Sequence, residues 1–285
     1  MDLLVEPFGY TFFVRAAVAG VLVGGMCGAL SVFIVLRRMS YIGHGLSHAV
    51  VGGVAIALAL DLGLYVGAVA STVVAAVLVD RVGRRRGLHA DASIGIVTTA
   101  LFALGVLVVS RLPVRVNLDA MLFGNILAVT TQDLLVSGGV ALGLGLVLLR
   151  WWKTLVAVTF DPDVSRVHGI RTAATELSFN LLVAAVVVAS IRVLGVLLIA
   201  AAVVIPGAIG RLVSRSIGTI LAVAVGVGVG TAVVGLFASF HLNVPSGPSI
   251  VLVGAVAFVL TYGTTAAVSA GRLRQVRLAT RESTT

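Results

Sequence analysis

The sequence predicts an all-α, polytopic membrane protein of about nine transmembrane helices, plus one short re-entrant or interfacial helix. Three observations predict it. Of 285 residues, 59% are hydrophobic and 11% charged, at a mean hydropathy of +1.16; soluble domains run at about 45–50% and about 25%. The charges are clustered, leaving long apolar runs between them. The apolar residues are mostly small, with 33 Gly and only 6% aromatics, a composition that lets membrane helices pack closely. A soluble globular enzyme is excluded, and so is a disordered chain, which needs low hydrophobicity.

Charges bound each span, and one crossing takes about 20 residues. Uncharged runs lie between Arg15 and Arg37, between Arg38 and Asp61, and over 62–79, 92–110, 134–149, 177–191 and 193–210. The stretch from Ser216 to Gly271 carries no charge and is too long for one helix. The NVPSGP segment at 243–248 divides it in two. Residues 120–132, AMLFGNILAVTTQ, are apolar but too short to cross, and predict the re-entrant or interfacial helix. Backbone at that depth must be buried in protein or line a wet cavity.

Basic residues set the orientation. With nine spans, one side carries Arg37/Arg38, Arg81/Arg84/Arg85/Arg86, Arg150/Lys153/Arg166/Arg171, Arg211/Arg215 and Arg272/Arg274/Arg277/Arg281. The other side carries only Arg15, Arg111, Arg115 and Arg192. The positive-inside rule places the first set in the cytoplasm and the N-terminus outside. The net charge of +9 is therefore anchoring charge and implies no nucleic-acid partner. The start, with Asp2 and Glu6 and no basic region, reads unlike a cleaved signal peptide. Cys27 is the single cysteine, so no disulfide framework exists.

Glycines recur at four-residue spacing: Gly20/Gly24/Gly28, Gly63/Gly67, Gly139/Gly143 and Gly226/Gly230. On a helix each set shares a face, which serves either ordinary close packing or a sliding interface.

Three segments could carry chemistry. In RRMSYIGHGLSHAVVGG (37–53), His44 and His48 stand at i and i+4, one helical turn apart on one face. Two imidazoles so placed can hold a transition metal, exchange a proton, or simply satisfy one another within the bundle. In TFDPDVSRVHGIRT (159–172), Asp161 reads as an N-cap with Pro162 at the first helical position, and Gly169 as the helix end. A short polar helix between two spans is a docking knob or a solvated loop. In the segment at 193–212, Pro206-Gly207 marks a hinge or a helix end. No GxxxxGK[ST], GxSxG, HExxH or CxxC motif occurs, so the chain predicts no nucleotide site and no catalytic constellation of its own.

These segments, in order along nearly the whole chain, resemble the metal-type permeases of ABC importers, the family serving zinc, manganese and iron. RRMSYIGHGLSHAVVGG resembles the family's second-helix signature, and LFGNILAVT (122–130) its LFGDIL stretch. FDPDVSRVHGI resembles its cytoplasmic segment, and GVLLIAAAVVIPGAIGRLV and VPSGPSIVLVG also match. The resemblance implies a single transmembrane permease domain over 1–285, working as a homodimer in the bacterial plasma membrane. It implies cytoplasmic ABC ATPase subunits that use ATP and Mg, and an extracellular metal-binding solute-binding protein. It implies no cofactor bound by this chain; the basic tail at 272–285 is cytoplasmic by the positive-inside reading above. It places ATPase coupling on Asp161, Pro162, Asp163 and Gly169, and transient metal contacts on His48, His44 and Asn125, while the proline chemistry above puts the gating hinge on Pro206 and Gly207. The family has Asp where His44 and Asn125 stand. Imidazole in place of carboxylate favours zinc first, with manganese or iron next. From the residues alone, a proton-coupled secondary transporter using His44 and His48 is the alternative.

Overall fold

The structure is a computed structural model that describes residues 6–83, 90–111, 124–196 and 198–282. Among these, regular structure is helical throughout. The helices are α1 (Thr11–Leu36), α2 (Ile42–Ala59), α3 (Leu64–Gly83), α4 (Ala90–Val109) and α5 (Thr131–Phe160). They continue with α6 (Pro162–Val167), α7 (Thr172–Leu194), α8 (Ile199–Val213), α9 (Ile217–Leu242) and α10 (Ser246–Glu282). Short 3₁₀ turns cover Glu6–Gly9 and Ile126–Ala128. Seven helices, α1, α3, α4, α5, α7, α9 and α10, are long and apolar enough to cross a bilayer, and α2 and α8 are shorter apolar helices. The chain is thus an all-helical, multi-pass membrane protein. The predicted anchors Arg84, Arg85, Arg86 and Arg115 lie outside the described residues.

Three expectations change. The 193–210 run is not one helix: Gly195, at φ +78, ends α7 with its N–H on the Ile191 carbonyl at 2.8 Å. Charge spacing marks apolar residues, but only the backbone conformation stops a helix, and glycine enters this one freely. The break at 243–248 is narrower than predicted. Asn243, left-handed at φ 52, ends α9, and α10 starts at Ser246 with Pro248 in its first turn, where a missing N–H costs nothing. The short helix predicted for 120–132 is absent from the part described, 124–132: Ile126–Ala128 is a 3₁₀ turn, and α5 begins at Thr131. Residues 120–123 lie outside the described residues. Within this turn Ile126 is buried, whereas Asn125 and Ala128 are exposed. The Asn125 N–H donates to the Arg192 carbonyl (3.0 Å) and the Ile126 N–H to the Ser246 hydroxyl (3.3 Å).

The core lies around α1 and α7. In their apolar stretches 72% and 67% of residues are buried, against 11% in α5 and α10, which face outward. Small residues let α1 approach its neighbours. A Cβ on Gly24 or Gly28 would collide with the carbonyls of Gly228 or Ala224 on α9, so only glycine fits there. Gly139/Gly143 and Gly226/Gly230 meet nothing, because a spacing of four fixes a shared face without saying which face is covered. Two aromatic clusters pin the ends of α1: Phe13 against Phe237 and Phe240 (5.2 and 5.3 Å between centroids), and Phe33 against Trp152 (5.7 Å) and Phe179 (6.2 Å). The segment predicted as a tail continues α10 as helix to Glu282, and 283–285 lie outside the described residues.

Candidate functional site

Helix α2 is built to lie against its neighbours with little side chain between. A Cβ on Gly45 would press on Ile94 Cγ2 (2.7 Å) and Thr98 Oγ1 (2.9 Å) of α4, and one on Gly52 would meet Gly105 Cα (2.8 Å). The polar face stays small: the Ser47 hydroxyl folds back to the His44 carbonyl at 2.8 Å. On this close-packed helix His44 and His48 come together, Nε2 to Nε2 at 3.1 Å, with the rings edge to face at 4.3 Å. His48 also packs on Phe102 of α4 and His44 on Tyr41. Both imidazoles are half-buried.

In this hydrogen bond one ring nitrogen donates and the other accepts. A transition metal would replace the shared proton by taking both lone pairs. Among the described residues no group of three or more His, Cys, Asp or Glu converges. The pair by itself offers two nitrogen donors. Asn125 is not brought to it. The Asn125 N–H is bonded to the Arg192 carbonyl at the C-terminal end of α7, whereas the two imidazoles meet each other, Tyr41 and Phe102.

The segment 159–172 forms α6 as its residues dictate. The Asp161 carboxylate accepts the Val164 N–H at 2.8 Å, Pro162 follows at the first position, and Gly169 at φ +79 ends the turn. Asp163 pairs with Arg166 at 3.4 Å on the exposed surface, and His168 Nδ1 donates to the Val164 carbonyl at 2.8 Å. Val164 and Val167 stand exposed on this small helix, at 51% and 86%, an apolar cap without a cover.

Pro206 and Gly207 are buried inside α8, which runs on to Val213, so Pro206 is not a helix end. Pro206 withholds an N–H from the Ala202 carbonyl one turn back. A Cβ on Gly207 would collide with the Ser31 carbonyl of α1.

Two polar clusters escaped sequence reasoning. At the Asn125 end, buried Asp133 closes a capping box with Thr130, accepts the Tyr65 hydroxyl, and lies 3.8 Å from Arg192 Nε. The T-x-x-D spacing at 130–133 signalled the cap, but nothing in the sequence joins Tyr65, Asp133 and Arg192. At the α6 end, the Arg37 Nε donates to Thr159 at 2.9 Å and its guanidinium lies over the Phe179 ring at 4.2 Å. Its Nη2 is buried without an acceptor. Burial pushes the Arg37 pKa down to about 10, against the opposing pull of Glu176, so it stays charged at neutral pH.

Comparison with known proteins gives a consistent picture. The family profile described as the ABC 3 transport family matches residues 9–264. The manganese transport system membrane protein MntC of Halalkalibacterium halodurans is 35% identical over 258 residues, covering 90% of this chain and 88% of the relative. The chelated iron transport system membrane protein YfeC of Yersinia pestis is 34% identical, covering 91% and 88%. Among solved structures, PsaBC of Streptococcus pneumoniae in complex with Fab superposes at a TM-score of 0.81 with 29% identity, covering 92% of this chain and 94% of that one.

Proposed function

This chain belongs to the ABC 3 transport family, is a multi-pass bacterial membrane protein of the metal-importer permease type, and on that premise we propose its particular role. It is the membrane subunit through which a divalent transition metal enters the cell, working as a homodimer of nine crossings per protomer. The end of the bundle carrying Arg37 and α6 faces the cytoplasm, where separate ATPase subunits dock. An extracellular solute-binding protein delivers the metal to the opposite end.

The observation that carries the metal assignment is the His44–His48 pair, 3.1 Å apart on a helix whose glycines Gly45 and Gly52 bring it close against α4. Each protomer contributes two nitrogens, and a dimer brings two such pairs to one path. Imidazole nitrogens suit zinc and iron(II) better than manganese, which favours oxygen. The relatives are named for manganese and iron; the two-imidazole donor set supports zinc first for this chain, with manganese or iron next. Docking rests on α6, where Asp161, Pro162 and Gly169 hold a short helix with an exposed apolar cap. Pro206 and Gly207 serve the motion, weakening α8 where it lies backbone-to-backbone on α1.

Radiometal uptake into cells or vesicles holding the whole transporter tests this reading. Uptake requires ATP, is competed by zinc ahead of manganese and iron(II), and is abolished by His48→Ala with assembly intact. Uptake that survives ATP depletion but collapses with the proton gradient, or normal uptake by His48→Ala, refutes it.

A further inference from the structure

At the α6 end, a cavity of about 670 Å³ opens between the end of α1, the ends of α3 and α5, α6 and the start of α7. Four charged side chains line it: Arg37, Asp80, Arg166 and Glu176. Two are already engaged. Arg166 pairs with Asp163, and Asp80 has a partner of its own. The other two are left over. Arg37 has a buried Nη2 with no acceptor. Glu176 stands near enough for its charge to act on the guanidinium, yet the ion pairs among the described residues do not join the two. A buried, unmet donor on a charged group is unfavourable, and the carboxylate that would satisfy it lines the same cavity.

The opposite end of the bundle is in the reverse condition. There Asp133 binds Tyr65, Thr130 and Arg192 and ties α3, α5 and α7 together. One end is latched by a satisfied polar network, and the other holds two charges that line one cavity without pairing with each other.

We infer that Arg37 and Glu176 are the two halves of an inner latch, an ion pair that forms when the α6-side cavity closes and is broken in the conformation described. The inference rests on the ATP-coupled reading above and adds its mechanism. Arg37 is held by Thr159 on α5 and Phe179 on α7, while Glu176 stands at the start of α7, just after α6. Phe179, under the guanidinium, stands one turn from Glu176 on α7, so a small shift of the start of α7 when α6 is pushed brings the carboxylate onto Arg37. The pair then favours the closed state, and only that state, which is the requirement for a group that biases a two-state equilibrium.

The test uses Gly83→Cys, at the rim of the cavity, in a Cys27→Ala background, with the permease assembled on its own ATPase in everted membrane vesicles. Labelling by a membrane-impermeant maleimide reports the open cavity. In otherwise unaltered protein, trapping with ATP and vanadate protects the cysteine. Glu176→Gln, which keeps shape and removes charge, reduces the closed population about fivefold to tenfold and so loses most of that protection. Glu176→Asp retains it in part. Equal protection in Glu176→Gln and the unaltered protein overturns the latch while leaving ATP coupling standing. Absence of any ATP-dependent protection in the unaltered protein overturns the coupling reading itself. Full protection in Glu176→Gln combined with loss of the ATPase from an Arg37→Gln variant also overturns the latch, because the acceptor for Arg37 then comes from the partner.

Discussion

Asp133→Ala is expected to destabilise the protein by about 3 kcal/mol, a figure built from three losses. The carboxylate accepts both the Thr130 N–H (2.9 Å) and the Thr130 hydroxyl (2.7 Å), closing the cap of α5; removing such a cap costs about 1 kcal/mol. It also accepts the Tyr65 hydroxyl, and stranding that half-buried donor costs about 1–3 kcal/mol. The ion pair with Arg192 adds little, because Arg192 is 44% exposed and 3.8 Å away. Thermal or denaturant unfolding of the detergent-purified protein reads the loss. Tyr65→Phe alone should cost about 1 kcal/mol, and the Tyr65→Phe/Asp133→Ala pair should fall short of additivity by at least about 0.5 kcal/mol. If Asp133→Ala unfolds within about 0.5 kcal/mol of the unaltered protein, or if the two substitutions add fully, the network does not hold this end of the bundle.

Other expectations can be checked more briefly. His44→Asp restores an oxygen donor beside His48 and should shift uptake competition toward manganese at the expense of zinc; an unchanged metal order would remove His44 from the path. Asp161→Ala strips the cap from α6 at about 1 kcal/mol and should weaken co-purification of the ATPase, as should deletion of 161–169, while leaving the permease folded; undiminished co-purification after the deletion refutes docking there. Gly24→Ala forces a methyl onto the Gly228 carbonyl and should lower stability by about 1–3 kcal/mol. Gly226→Ala, which meets open space, should be neutral in the same melt.

Much of the fold was legible because lipid leaves the chain few options. Charge-free runs bounded by arginine become helices, since backbone groups in hydrocarbon must bond within their own segment. The His44/His48 juxtaposition followed from i, i+4 spacing, and the α6 cap from Asp-Pro chemistry, both local rules. The stop at Gly195 was hidden because apolar character and helix continuity are separate properties, and only the φ of that residue distinguishes them. The glycine sets were readable as faces but not as contacts: Gly24 touches α9 while Gly226 on α9 does not touch α1, and Gly228, which does, lies between the spaced positions. The Tyr65–Asp133–Arg192 cluster and the Arg37–Glu176 cavity join residues far apart along the chain, through packing that no local pattern encodes.

Helix α10 has 37 residues, of which Ser246–Val268 is the apolar portion. At 1.5 Å per residue the whole helix is about 55 Å long, nearly twice the hydrocarbon thickness of about 30 Å. The remaining turns extend the helix as a mast about 20 Å beyond its apolar portion. A swivel of α10 in its lipid bed is therefore carried rigidly to the mast tip, where a fluorophore near the C-terminus would register it as a change in depth and bearing.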